Sequence, residues 1–264
     1  MSNKAPEIFY TDEGNGNVIV FIHGFLESSD IWNDYSEKLS QNFRVICIDL
    51  PGHGKSSNIS KVHSMKLMAE EVRNILEILG INKCLMVGHS MGGYVTMEFA
   101  SRFPRFLNGI VLLNSQAGSD SEMDKVNRNR TIELVENDHT SFITSFYPGL
   151  FAPENAGRYN KEIEWLRNIG LSMDKEGIIA SLAGMRDRAD HVSTLENIEV
   201  PVLVIAGDHD SRIPVEKIRQ QTANAPKARL VILEGTGHLA YIEEKDEVLT
   251  IIRNFASEVF KKKK

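Results

Sequence analysis

The chain has 264 residues, 42% of them hydrophobic and 25% charged, and a formal net charge of −6. That balance fits one large α/β domain, or one domain carrying an insertion. It leaves no broad basic field for nucleic acid, and no run of 18 or more apolar residues offers a membrane span.

Residues 1–6 (MSNKAP) lack an apolar h-region, so no signal peptide is expected. The first strand-like run is 18–22 (VIVFI), between Asn15-Gly16-Asn17 and His23-Gly24. A second, 45–48, ends at Asp49-Leu50-Pro51-Gly52. A helical pattern follows, with Val62, Met65, Met68, Ala69, Val72, Ile75, Leu76 and Leu79 at three- and four-residue spacing and Gly80 as its stop. Residues 84–87 and 109–113 are again continuous apolar runs. Strands of that kind bury both faces, which implies a mostly parallel sheet between helices.

The rhythm changes near Gln116. From 119 to about 190 there is no strand-like run, only helical patterns carrying Phe142, Phe146, Phe151 and Trp165. The expected division is a core of residues 1–118 and 191–264 with a helical lid at 119–190. Strands resume at 202–206 and 229–233, and a closing helix is expected from about 244 to 260. The terminal lysines 261–264 read as a solvated end rather than a binding arm. Cys47 and Cys84 lie in strand-like runs and read as buried hydrophobes. Together these features lead to the expectation of a cytoplasmic chain, with no nucleic-acid or membrane partner expected; monomer and homodimer both stay open.

The most specific signal is Gly88-His89-Ser90-Met91-Gly92, a G-x-S-x-G between a strand-like run and a helical one. In that context the motif makes a nucleophile elbow: the serine backbone is strained, and the flanking glycines give clearance. An activated serine needs a base, and the base an orienting acid. Both must lie at the same sheet edge. Asp208-His209-Asp210 follows the strand at 202–206, and Gly237-His238 follows the strand at 229–233. No histidine shows metal-ligand spacing, no G-x-G-x-x-G follows the first strand and no Walker motif is present, so neither metal nor cofactor is expected.

Taken with His23-Gly24-Phe25, Asp49-Leu50-Pro51-Gly52-His53-Gly54-Lys55-Ser56 and Pro214, these motifs resemble the α/β-hydrolase superfamily, in its lid-bearing form. The resemblance implies Ser90 as nucleophile and His238 as general base. Asp210, four residues before Pro214, matches the acid position, and Asp208 is the alternative. The backbone amides of Phe25 and Met91 would form the oxyanion hole. His23 and His53 read as loop-shaping, His209 as solvent-facing, and His63, His89, His139 and His191 carry no motif support.

A serine at the elbow suits attack on a carbonyl, whereas the related dehalogenases and epoxide hydrolases use aspartate. The expected activity is therefore hydrolysis of a small or medium carboxylic ester, lactone or thioester through an acyl-enzyme. Phe25, Phe142, Phe146 and Trp165 are the candidate substrate-binding residues. Arg186 and Arg188 would favour a carboxylate-bearing substrate if either reached the pocket; a surface helix end is the plainer reading. The segment around them resembles enol-lactonases and small carboxylesterases more than lipases. Two alternatives stand beside ester hydrolysis. One is a carbon–carbon hydrolase or lyase with the same residues, of the diketo-acid hydrolase or menaquinone-pathway synthase type. The other is a non-catalytic receptor.

Overall fold

The computed structural model describes residues 8–261. The expectations for residues 1–6 and for the lysines beyond 261 lie outside that range. Seven strands form one sheet among the described residues: β1 (Tyr10–Gly14), β2 (Val18–Ile22), β3 (Arg44–Ile48), β4 (Cys84–His89), β5 (Leu107–Leu113), β6 (Val202–Gly207) and β7 (Ala228–Leu233). Their order is β1-β3-β2-β4-β5-β6-β7, and all pairs are parallel except β1 with β3. β2 and β4 are buried along their whole length. Their continuous apolar runs meet helices on both faces, as a parallel sheet requires.

The helices are α1 (Asn33–Leu39), α2 (Met65–Ile78), α3 (Met91–Arg102), α4 (Glu122–Phe146), α5 (Asn160–Leu171), α6 (Lys175–Arg186), α7 (Val192–Asn197), α8 (Val215–Ala223), α9 (Ala240–Glu243) and α10 (Lys245–Lys261). α2 starts three residues later than its apolar spacing suggests. The Ser64 hydroxyl accepts from Leu67 N at 3.1 Å and caps the helix there, leaving Val62 outside and exposed. β1 escapes a hydropathy reading because YTDEG has almost no apolar face. It is an antiparallel edge strand, held by five register pairs to β3 and by Arg44–Asp12 at 2.7 Å. Cys47 and Cys84 are buried, and burial pushes both thiols up to about 12, so neither is ionised near neutral pH. No described helix is long and apolar enough to cross a membrane.

Between β5 and β6 the chain is helical, as α4 to α7. This stretch touches the loops at the C-terminal ends of the strands. Tyr147 Oη donates to Leu26 O at 2.6 Å, His238 N to Leu150 O at 2.7 Å, and His63 N to Ala180 O at 2.9 Å. Those loops follow β2, β7 and β3 respectively, so the inserted helices sit over the strand ends where Ser90 also lies.

Candidate active site

Ser90 joins β4 to α3 with φ 49° and ψ −116°, a conformation few side chains adopt. The turn is tight enough that a Cβ on Gly88 would strike Gly92 O, and one on Gly92 would strike the carbonyl oxygens of Ile22 and His23. Glycine at both places is thus a steric requirement of the elbow. Ser115 Oγ donates to Ser90 O at 2.7 Å and holds the turn from β5's side.

β6 and β7 deliver the partners. His238 Nε2 lies 2.9 Å from Ser90 Oγ, and His238 Nδ1 lies 2.8 and 2.9 Å from the two Asp210 oxygens. With Nδ1–H donating to the carboxylate, Nε2 is left as the acceptor for the serine proton. Asp210 is itself held: Oδ1 accepts from the amides of Arg212 (2.8 Å) and Ile213 (3.0 Å), and Oδ2 from Asn114 Nδ2 (3.1 Å). Burial alone would push this carboxyl up. The charge and hydrogen bond of His238, with the two amides, outweigh that and hold it below the usual carboxylate range. Asp208 is exposed and turns to Thr236 N at 3.2 Å, away from the histidine.

The amides of Phe25 and Met91 donate to no protein acceptor among the described residues, although neighbouring Gly93 N and Tyr94 N both bond Ser90 O. Met91 is the first residue of α3, where an amide has no intrahelical partner. Phe25 follows β2, the strand beside β4, and its loop lies against the elbow. Both remain free to face one oxygen.

His89 acquires a place the motif does not announce. Its Nδ1 is 2.9 Å from Glu27 Oε2 and its Nε2 is 3.0 Å from His238 O. Both partners only accept, so both ring nitrogens carry protons and His89 is an imidazolium. Burial opposes that charge, but Glu27's charge and hydrogen bond, with help from His238 O, raise His89 above its ordinary value. Glu27 also accepts from Gly24 N (2.6 Å) and Tyr241 Oη (2.9 Å), and despite burial it is held low by His89. Glu27 lies in the unpatterned segment after His23-Gly24-Phe25, and only tertiary contact identifies it. His23 shapes its loop, with Nδ1 2.7 Å from Gly24 O and Nε2 accepting from Leu50 N. His53 bonds Pro51 O locally, and His209 pairs with Glu154 at the surface.

A cavity of about 630 Å³ opens onto Ser90 and His238. Phe25, Phe142, Phe146 and Leu150 give it apolar wall, and Asn127, Arg128 and Arg212 give it polar wall. Trp165 does not line it: the side chain lies on α5, 39% exposed. Phe151 is also outside, buried and stacked on Tyr159. The arginines divide differently from the sequence reading. Arg186 binds Asp187 and Asn129 at the surface. Arg188 is buried on Asp120 and over the Tyr94 ring, away from the cavity. The arginines that line it are Arg128 and Arg212.

A family model described as the alpha/beta hydrolase fold matches residues 17–245. Among solved structures, the chain is similar to an esterase from Thermogutta terrifontis, solved with malate bound. The two are 32% identical with a TM-score of 0.91, over 96% of this chain and 94% of the other. It is 28% identical to a bifunctional esterase/perhydrolase of Acinetobacter calcoaceticus, over 90% of this chain and 91% of that one. It is 26% identical to a 2-hydroxy-6-oxononadienedioate/2-hydroxy-6-oxononatrienedioate hydrolase of Burkholderia vietnamiensis, over 94% and 90%. With its sheet order, its strained serine turn and a family match spanning most of its length, the chain belongs to the α/β-hydrolase fold family.

Proposed function

We propose that this hydrolase cleaves carboxylic esters, lactones or thioesters of small to medium size through an acyl-Ser90 intermediate. The observation that carries the reading is the unbroken chain Ser90 Oγ–His238 Nε2 and His238 Nδ1–Asp210 at 2.8–2.9 Å, with Ser90 on a strained turn. Ser90 Oγ attacks the carbonyl carbon while His238 takes its proton. Negative charge gathers on the carbonyl oxygen and is met by the Phe25 and Met91 amides. His238 then protonates the departing alkoxide. Water attacks the acyl-enzyme by the same path, with His238 again as base. Asp210 keeps the imidazole oriented and stabilises its charged form.

In this reading residues 119–190 act as a lid, and the aromatic wall of Phe142 and Phe146 receives the acyl group. A bounded cavity favours short acyl chains. Initial rates on p-nitrophenyl acetate, butyrate, octanoate and palmitate test this, with kcat/KM highest on the short chains. A maximum at palmitate would contradict it.

Likeness to the Burkholderia hydrolase supports a second reading, cleavage of a carbon–carbon bond with the same three residues. Turnover of a vinylogous 1,5-diketone acid with no turnover of any ester would establish it in place of the first. Failure of Ser90 to react with a fluorophosphonate probe would favour a non-catalytic receptor over both.

A further inference from the structure

The cavity beside Ser90 contains guanidinium groups that its own carboxylates leave unsatisfied. Arg212 lines it from the loop after β6, two residues beyond Asp210, with part of its side chain reaching solvent and part packed into the lining. Only its backbone amide is used, on Asp210; its guanidinium makes no hydrogen bond or ion pair among the described residues, and lies over the Phe146 ring at 5.1 Å. Arg128 lines the cavity from α4. Its Nε bonds Asp120 at 3.1 Å, but Asp120 is shared with Arg188. Lys217 stands on the same lining, near enough to Asp124 to help lower it but in no ion pair among the described residues. Asp124 is taken by the Ser121 cap at the start of α4, and Glu27 by His89. Among the described residues no lining carboxylate hydrogen-bonds Arg212 or the outer nitrogens of Arg128, although the charges of Lys217 and Arg128 add to the Ser121 hydrogen bonds in holding Asp124 low.

Arg128 and Arg212 line the same cavity, and partial burial together with the charge of Arg128 lowers Arg212, with Asp210 opposing. Two like charges on the lining of one cavity that also carries apolar rings are relieved by an anion bound there. Phe146 links this pair to the chemistry: it supports Arg212 on one side and meets Phe25 edge to face at 5.8 Å on the other. Phe25 carries one of the amides free to bind a carbonyl oxygen.

We propose that Arg212 and Arg128 form a binding site for a free carboxylate on the substrate, placed across the aromatic wall from the scissile carbonyl. This rests on the ester-hydrolase reading and narrows it to half-esters of dicarboxylic acids and lactones that carry a carboxylate. Guanidinium suits this task because its planar donors match a carboxylate in two parallel hydrogen bonds. One arginine comes from the inserted helices and the other from the loop that holds Asp210. A bound carboxylate thus ties the cover to the catalytic loop.

The test is a matched pair: monoethyl adipate against ethyl hexanoate, which share a six-carbon acyl chain and differ in the terminal carboxylate. Monoethyl succinate, glutarate and pimelate map the distance. Rates are followed by pH-stat. The wild type is expected to favour the half-ester by roughly 10- to 100-fold in kcat/KM at the best length, the worth of one or two charge-assisted hydrogen bonds. Arg212→Met should collapse that ratio, Arg212→Lys should retain part of it, and Arg128→Met should reduce it less because Asp120 already holds Arg128. Using the ratio removes any general loss of activity. Preference for the neutral ester at every length, or an unchanged ratio in Arg212→Met, overturns the proposal.

A binding arm separates this failure from failure of the ester reading. Glutarate and adipate should bind Ser90→Ala protein by calorimetry and lose that binding in Ser90→Ala/Arg212→Met. Binding with no ester turnover would keep the carboxylate site and discard ester hydrolysis. Tighter binding of inorganic phosphate than of either dicarboxylate would overturn the assignment of the ligand.

Discussion

Around Ser90, the side chains of Glu27, His89, Asp210 and His238 are buried and each is hydrogen-bonded to at least two partners. The longest of the inserted helices is built on other terms. α4 runs for 25 residues but buries only Val135 and Ile143, is broken by a non-helical Asp138 (φ −153°, ψ 80°), and presents Asp124, Asn127, Arg128 and Thr131 to the cavity. The strand-end loops hold a few atoms in one arrangement, because each polar group there is desolvated and costly to leave unpaired. α4 has fewer such constraints, so its residues can vary in kind without disturbing the sheet. Under the proposed function, the chemistry belongs to the strand ends and substrate selection to the inserted wall.

The largest effect should come from the strand-end side. Ser90→Ala is expected to cut ester turnover by about 10⁴-fold or more with an unchanged far-ultraviolet spectrum, since the hydroxyl adds little to the core. Retained turnover would remove Ser90 from the reaction.

Asp210→Asn should follow at about 10³- to 10⁴-fold, through loss of charge and choice of the wrong imidazole tautomer. Asp208→Asn should change kcat by no more than about 3-fold, because an exposed carboxylate on one amide contributes little. A reversal of the two would move the acid to Asp208.

Glu27→Gln leaves the His89 imidazolium buried without its counter-charge, so a destabilisation of about 3–5 kcal/mol is expected in urea titration. The pH dependence has a definite sign. His89 is raised in the folded state, so its contribution is complete below its unfolded value near 6.5 and is lost as pH rises through the higher folded value. Thermal melts of wild type and His89→Asn between pH 5.5 and 9 should therefore differ most at the acid end and converge toward the alkaline end. A gap that widens with pH would show that His89 is neutral in the fold.

The smallest effects should lie on the inserted helices. Phe146→Ala should raise the octanoate-to-butyrate ratio of kcat/KM by about 3- to 10-fold, the worth of a few methylene contacts in an enlarged pocket. Trp165→Ala should leave that ratio within about 2-fold, because the ring is on an outer face. An equal response from both would mean that the cavity wall does not select the acyl group.

Much of the site was legible in the linear chain because its chemistry is tied to turns. Gly88 and Gly92 can be read as clearance for Ser90, and a loop after each late strand supplies one acid and one base. The apolar runs of β2, β4, β5 and β6 announce a sheet covered on both faces, and their alternation with helical patterns points to a parallel one. Local sequence also determined where α2 could run, but the Ser64 cap, not the apolar spacing, decided its start. Tertiary structure alone decided the rest. β1 exists because β3 offers an open edge, not because its residues are apolar. Glu27 and His89 meet across 62 positions, and Arg128 and Arg212 face one cavity across 84. Arg188 turns away from it onto Asp120 and the Tyr94 ring, partners equally remote in the chain. Periodicity reports which side of an element is buried; it carries no information on which distant charge will share that burial, and in this protein that sharing sets the electrostatics of the site.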